Sequence, residues 1–148
     1  METIQVCREL QVAGTERELV RVAFASSDQH QVDQHFASTR RFAIYGLEPD
    51  HFQLLKIVEL SEPPLGHHQQ NIETRLDLLG DCLAVYTVAV GDAVVRQLWA
   101  RGIRPVRVPE GTQIVRLLDE LNQELSRQSS ALRRQMKRNH RKTGHLPQ

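Results

Sequence analysis

The nine-residue run from Cys82 to Val90, Cys-Leu-Ala-Val-Tyr-Thr-Val-Ala-Val, constrains this chain more than any other segment. It is nearly continuous in apolar residues, rich in β-branched side chains, and lacks the alternation of a strand with one wet face. Such a run predicts a strand buried on both faces, as in a parallel sheet covered by helices. Helical periodicity lies on either side of it. Upstream, over about 70–79, Ile72, Leu76 and Leu79 recur at helical spacing until Gly80 stops the pattern. Downstream, Gly91-Asp92 opens a helix whose apolar stripe is Val94, Val95, Leu98 and Trp99, closed by Gly102. Ile103 to Val108 reads as a further strand, with Pro105 favouring an edge or near-edge position. Gly111-Thr112 caps a last helix with Ile114, Val115, Leu117, Leu118, Leu121 and Leu125 inward.

The first half of the chain has a different rhythm. Arg21–Ala25 is a short apolar strand ended by Ser26-Ser27-Asp28, and Arg41–Leu47 is a second. Glu48-Pro49-Asp50 is a turn signal, and Phe52 to Leu60 alternates as a third strand, giving an antiparallel hairpin. Residues 1–18, with Gly14 and mixed charges, read as a flexible lead-in; 19–127 form one α/β domain. Beyond Ser126 the apolar stripe dies out, so 128–148 read as a tail, helical in part and disordered at its end. The order β-β-β-α-β-α-β-α predicts a mixed five-stranded sheet with helices on its faces, of the ribonuclease-H-like kind.

Composition narrows the function classes. At 148 residues the chain suits one domain with a real core. No apolar run approaches the roughly 20 residues that span a bilayer. The start, Met1 to Cys7, lacks the basic and apolar regions of a signal peptide, so the expected location is cytoplasmic. Cys7 and Cys82 form no CxxC, so a self-contained zinc or conventional iron–sulfur site is not signalled. Any metal would be shared or arrive in a preformed cofactor. The net charge of +1 hides an asymmetry: the last 24 residues, after Glu124, hold seven Lys or Arg and no acid, whereas the preceding part has 12 basic and 18 acidic residues. The tail lacks the interleaved aromatics that stack on bases, and its body is acidic, so partner docking is favoured over nucleic-acid binding.

The segment Val20 to Tyr45 carries the candidate chemistry: a strand, a polar loop with His30 and His35, then a second strand. Loops at strand ends present side chains to a ligand without disturbing the core. His35 is either a metal ligand, with Phe36 anchoring the loop beneath it, or a solvated loop histidine. His30 is a weaker version of the same idea. Cys82 could ligate iron through its soft thiolate or serve as a small buried hydrophobe. His67-His68, before a helix, is a poor chelate by itself but could supply one group to a site shared with His35. Two-metal phosphoryl chemistry needs converging carboxylates. The first strand carries none, and Asp28, Asp33, Asp81 and Asp92 make no tight constellation. No P-loop, GxGxxG or Ser-His-Asp arrangement is present, so catalysis is not signalled and the protein reads as a non-enzyme.

The strand Arg21-Val-Ala-Phe-Ala-Ser-Ser-Asp28, then Val32-Asp-Gln-His-Phe36, then Arg41-Phe-Ala-Ile-Tyr45 resembles the dinitrogenase iron–molybdenum cofactor-binding family. Asp81-Cys82, Val90-Gly91-Asp92 and Gly102-Ile103-Arg104-Pro105 fit the same pattern, and the match covers about 19–125. The resemblance implies a carrier that binds the iron–molybdenum cofactor, its iron–sulfur precursor, or both, and transfers it during assembly. Its partners would be the precursor-synthesising enzyme and the scaffold complex of cofactor assembly. By the family pattern His35 falls on the histidine associated with cluster binding, and Cys82 on a cysteine common in nitrogenase members. The family usually reads His-Phe-Gly, and Ala37 stands here in place of that Gly. A positive φ at this position would strain the loop, whereas an ordinary backbone would accept the alanine.

Chemistry gives a parallel argument. A cluster already bridged by sulfide needs few protein ligands, and few ligands allow release. His35 and Cys82 are the candidate metal ligands, and Arg40, Arg41, Ser26 and Ser27 the candidate cationic and hydroxyl contacts. The rival expectation is a protein-interaction scaffold of the assembly machinery with no cluster of its own.

Overall fold

The structure is a computed structural model that describes residues 6–11, 19–49, 51–61 and 68–127. Six strands make the main sheet in the order β1-β5-β4-β2-β6-β7. They are β1 (Val6–Gln11), β2 (Val20–Ala25), β4 (Arg41–Glu48), β5 (His51–Leu60), β6 (Cys82–Thr87) and β7 (Arg104–Arg107). A two-stranded ribbon pairs β3 (Gln31–Val32) with β8 (Thr112–Gln113). The helices are α1 (His68–Leu78), α2 (Asp92–Ala100) and α3, helical from 114 to 127.

The mixed sheet has a clear seam. β4 pairs antiparallel with both β2 and β5, while β2–β6 and β6–β7 are parallel. All five expected strands therefore stand in one mixed sheet with three helices. Pro105 sits in β7 at the sheet edge, where its missing N–H interrupts no inner ladder. β6 is shorter than the apolar run that announced it. Val88, Ala89 and Val90 leave the ladder at Thr87 and turn toward the loop that follows β2.

Two corrections concern strand count. Val6–Gln11 is not a flexible lead-in but a strand antiparallel to β5. The ten-residue β5 outruns the eight residues of β4 and offers its outer backbone groups to another strand, a pairing without a strong side-chain pattern. The ribbon β3–β8 is also additional, because two-residue strands are shorter than any readable alternation. The remainder of the lead-in, His67, the side chain of His68 and the 128–148 tail lie outside the described residues.

The core divides between the two faces of the sheet because side chains alternate along each strand. Ala23 and Ala25 of β2 join Phe36, Phe42, Ile44, Ile72, Leu76, Leu79, Val94 and Leu98, the face covered by α1 and α2. Val22 and Phe24 join Val32, Leu47, Ala84, Tyr86, Ile114, Leu117 and Leu118, the face covered by α3. On that second face Phe24 stacks on Tyr86 at 4.9 Å and meets Tyr45 edge-on at 5.7 Å. Gly46 is closely packed: a Cβ there would stand 2.6 Å from Leu19 Cδ1 and 2.9 Å from Leu55 Cδ1, so these side-chain ends would have to shift. No helix among the described residues is long and apolar enough to cross a membrane.

Leu76 is fully buried between α1 and the sheet. Leu76→Ala is expected to destabilise the fold by about 2–5 kcal/mol, the range for an incompletely collapsing cavity. Urea unfolding measures it; a loss under about 1 kcal/mol would show that α1 does not pack as described.

Candidate functional site

The connection from β2 to β4 crosses the carboxyl edge of the sheet from one face to the other. Its first half belongs to the α3 face. Val32 is buried there, Gln31 and Val32 pair with β8, and the Ile114 N–H donates to the His30 carbonyl at 2.9 Å. Its second half belongs to the α1–α2 face. His35 forms a parallel bridge with Ala89; the Phe36 N–H donates to the Ala89 carbonyl and the Val88 N–H to the Gln34 carbonyl, both at 2.9 Å. Phe36 is buried against Phe42 at 5.8 Å, so it anchors the segment while His35 itself stays exposed.

Asp28 organises the turn out of β2. Its Oδ1 accepts the N–H groups of His30 at 2.8 Å and Gln31 at 3.1 Å, and these bonds lower its pKa to about 2. They leave Gln29 at φ 67°, the one described non-glycine residue with positive φ. Asp33 closes the turn by accepting the Ser27 N–H at 2.9 Å and the Ser27 hydroxyl at 2.5 Å. These aspartates build the loop, each spending its carboxylate on backbone N–H groups. Among the described residues, no three His, Cys, Asp or Glu side chains gather to hold a bare metal ion.

The candidate contacts separate under this geometry. Ser26 is buried; its hydroxyl donates to Asp28 and accepts the Gln29 N–H at 2.9 Å, so it is turned inward. Ser27 is exposed beside Asp33. Arg41 is drawn to β5 by Glu59 at 2.7 Å and donates to the Ser27 carbonyl at 3.0 Å. Arg40 is exposed in the same loop as His35, and its carbonyl accepts the Leu60 N–H at 2.8 Å. His30 and His35 lie in opposite halves of the connection, one tied to β8 and the other to Ala89.

Cys82 is not brought to His35. It opens β6 opposite Arg21, at the start of β2, whereas His35 bridges Ala89 beyond the far end of β6. At about 3.3 Å per residue, the six-residue strand puts roughly 20 Å between the two positions. Desolvation pushes the Cys82 thiol up to about 12, with Asp81 adding to the shift, so it is protonated at neutral pH. Cys82 belongs to the same buried core cluster as Leu79 and Val85.

Two residues that sequence reasoning passed over hold the His35 loop from beneath. Arg75 of α1 is 1% exposed. Its Nη1 donates to the carbonyls of Phe36 at 3.3 Å and Thr39 at 2.5 Å, and its Nε to Asn71 Oδ1 at 2.8 Å. Asn71 Nδ2 donates to the Ala37 carbonyl at 3.1 Å. The signal was present, because Arg75 falls three residues after Ile72, on the apolar stripe of α1. Ala37 does not adopt positive φ and packs partly against the core, so the alanine strains nothing.

Residues 18–124 match the profile described as dinitrogenase iron–molybdenum cofactor. The chain belongs to that family. It is 46% identical to protein NifX of Azotobacter vinelandii over 126 residues, covering 84% of this chain and 80% of that protein. Identity to protein NifX of Klebsiella pneumoniae is 42% over 114 residues, covering 77% and 72%. Protein NifY of Azotobacter vinelandii is 29% identical over 114 residues, covering 76% of this chain and 46% of that protein. The family match thus spans both halves of the His35 loop and the two parallel strands that support it.

Burial of Cys82 makes a direct prediction. In a Cys7→Ser background, iodoacetamide at pH 8 is expected to alkylate the native protein only as fast as it unfolds. The raised thiol pKa also gives the sign of a pH effect. Its contribution to stability is complete below about 9, the ordinary value, and fades as pH rises toward 12. Rapid alkylation under native conditions would contradict this placement.

Proposed function

We propose that this protein is a non-enzymatic carrier in nitrogenase cofactor assembly that receives an anionic iron–sulfur cluster at His35 and passes it on. The observation that carries this reading is the position of His35: exposed, yet fixed on both sides by the Ala89 bridge and the buried Phe36. Membership of a family named for the iron–molybdenum cofactor supplies the class of guest. The guest is the cofactor, its iron–sulfur precursor, or both in turn.

The donor set suits transfer better than storage. A neutral imidazole is a borderline ligand for iron. One such ligand on a cluster whose irons are already joined by sulfide adds attraction without enclosing it. Arg40, on the same loop, offers charge to an anionic guest, and Ser27 lies at its other end. Cys82 takes no part in this reading. The partners are the proteins that make the precursor and complete the cofactor, and the site of exchange is cytoplasmic.

Anaerobic titration of the full chain with the precursor cluster, followed by visible absorption and EPR, tests the proposal. Wild-type protein is expected to bind, His35→Ala to lose affinity by at least about tenfold, and Cys82→Ser to retain it. Tenfold corresponds to about 1.4 kcal/mol. Undiminished binding by His35→Ala would remove this histidine from the site. Failure of the wild type to bind would favour the scaffold without a cluster.

A further inference from the structure

The carbonyls of Phe36, Ala37 and Thr39 all face α1, where Asn71 and Arg75 receive them. No described peptide bond is cis, so each carbonyl points opposite to the N–H of the following residue. Turning the Phe36 and Ala37 carbonyls toward α1 therefore turns the N–H groups of Ala37 and Ser38 away from it. Ser38 is exposed, and the two amides follow His35 by two and three residues. Successive N–H groups with a common direction form a concavity that attracts anions.

The clamp also carries charge. Burial lowers the Arg75 pKa only to about 10, so its guanidinium remains protonated at neutral pH. Among the described residues no carboxylate pairs with it; its partners are carbonyl and amide oxygens. A positive charge thus lies beneath the loop, hydrogen-bonded to carbonyl and amide oxygens. An apolar residue would suffice merely to fill this space. A buried guanidinium is costly to desolvate, and its oriented donors make sense as a device that fixes backbone direction.

We infer that the Ala37 and Ser38 amides, turned outward by Asn71 and Arg75, form with His35 an anion-receiving cradle for the sulfide face of an iron–sulfur cluster. The identity of the guest rests on the carrier reading; the cradle itself does not. Hydrogen bonds to cluster sulfides also tune its reduction potential, so the cradle contributes to the electronic state in which the cluster is held. Asn71 and Arg75 are positioning residues that act through the loop backbone.

The probe is tetrathiomolybdate, a diamagnetic dianion with sulfide at every vertex, titrated anaerobically into the 15N-labelled full chain. The Ala37 and Ser38 amide protons are expected to shift downfield as it binds. Asn71→Ala is expected to weaken binding by at least about tenfold, the order for losing one oriented amide hydrogen bond to the anion. Arg75→Lys keeps the charge on one ammonium but not the planar fork, and is expected not to restore wild-type affinity. Should Arg75→Lys fail to fold, Asn71→Ala decides alone, with its thermal unfolding recorded alongside. Absence of shifts at these amides, or unchanged affinity in folded Asn71→Ala, overturns the cradle. Tetrathiomolybdate binding at these amides without uptake of the precursor cluster sustains the cradle and overturns the carrier. Cluster uptake that is indifferent to Asn71→Ala overturns the cradle and leaves the carrier standing.

Discussion

The pairing of β2 with an antiparallel neighbour on one side and a parallel neighbour on the other is the constraint on which the site depends. Because β2 and β6 run the same way, their carboxyl ends lie side by side. The chain leaving β2 therefore passes directly over the chain leaving β6, and His35 meets Ala89 there. An antiparallel β6 would have put its other end at this edge. The His35 loop is held by backbone hydrogen bonds between two strand exits, which is why an exposed histidine has a fixed position. This is the edge where open α/β sheets generally receive ligands.

Rigidity in the loop comes from unlike sources on the two faces. On the α3 face the means are a short ribbon with β8 and a turn built on Asp28. On the other face they are Phe36 in the core and the buried Asn71–Arg75 pair under the backbone. The division assigns separate roles to the two loop histidines. His30 follows a structural turn, whereas His35 stands where the backbone is pinned from below and from the side.

Much of the fold was legible because its signals are local. Apolar runs and helical stripes marked five strands and three helices, and Pro105 marked the edge. β1 was not legible, since its place depends on backbone groups of β5, distant in sequence. In the loop after β2, the burial of Phe36 beneath an exposed His35 was readable from loop chemistry. The separation of Cys82 from His35 was not, because Cys82 begins its strand and the loop lies at the strand's far end; the apolar run alone gives no direction. Arg75 was hidden by its type: a charged residue on an apolar stripe reads as exposed until the carbonyls above it are known. The question raised by Ala37 needed a backbone angle, which no side-chain pattern supplies.

A cluster bound over His35, as proposed, would sit at the carboxyl edge of β2 and β6. Paramagnetic broadening of backbone amides in the cluster-loaded, 15N-labelled protein tests this placement most directly. Broadening is expected to centre on 34–40 and 89–92 and to spare the residues around Arg21 and Cys82. Broadening centred on Cys82, or confined to the segment 128–148, would contradict it.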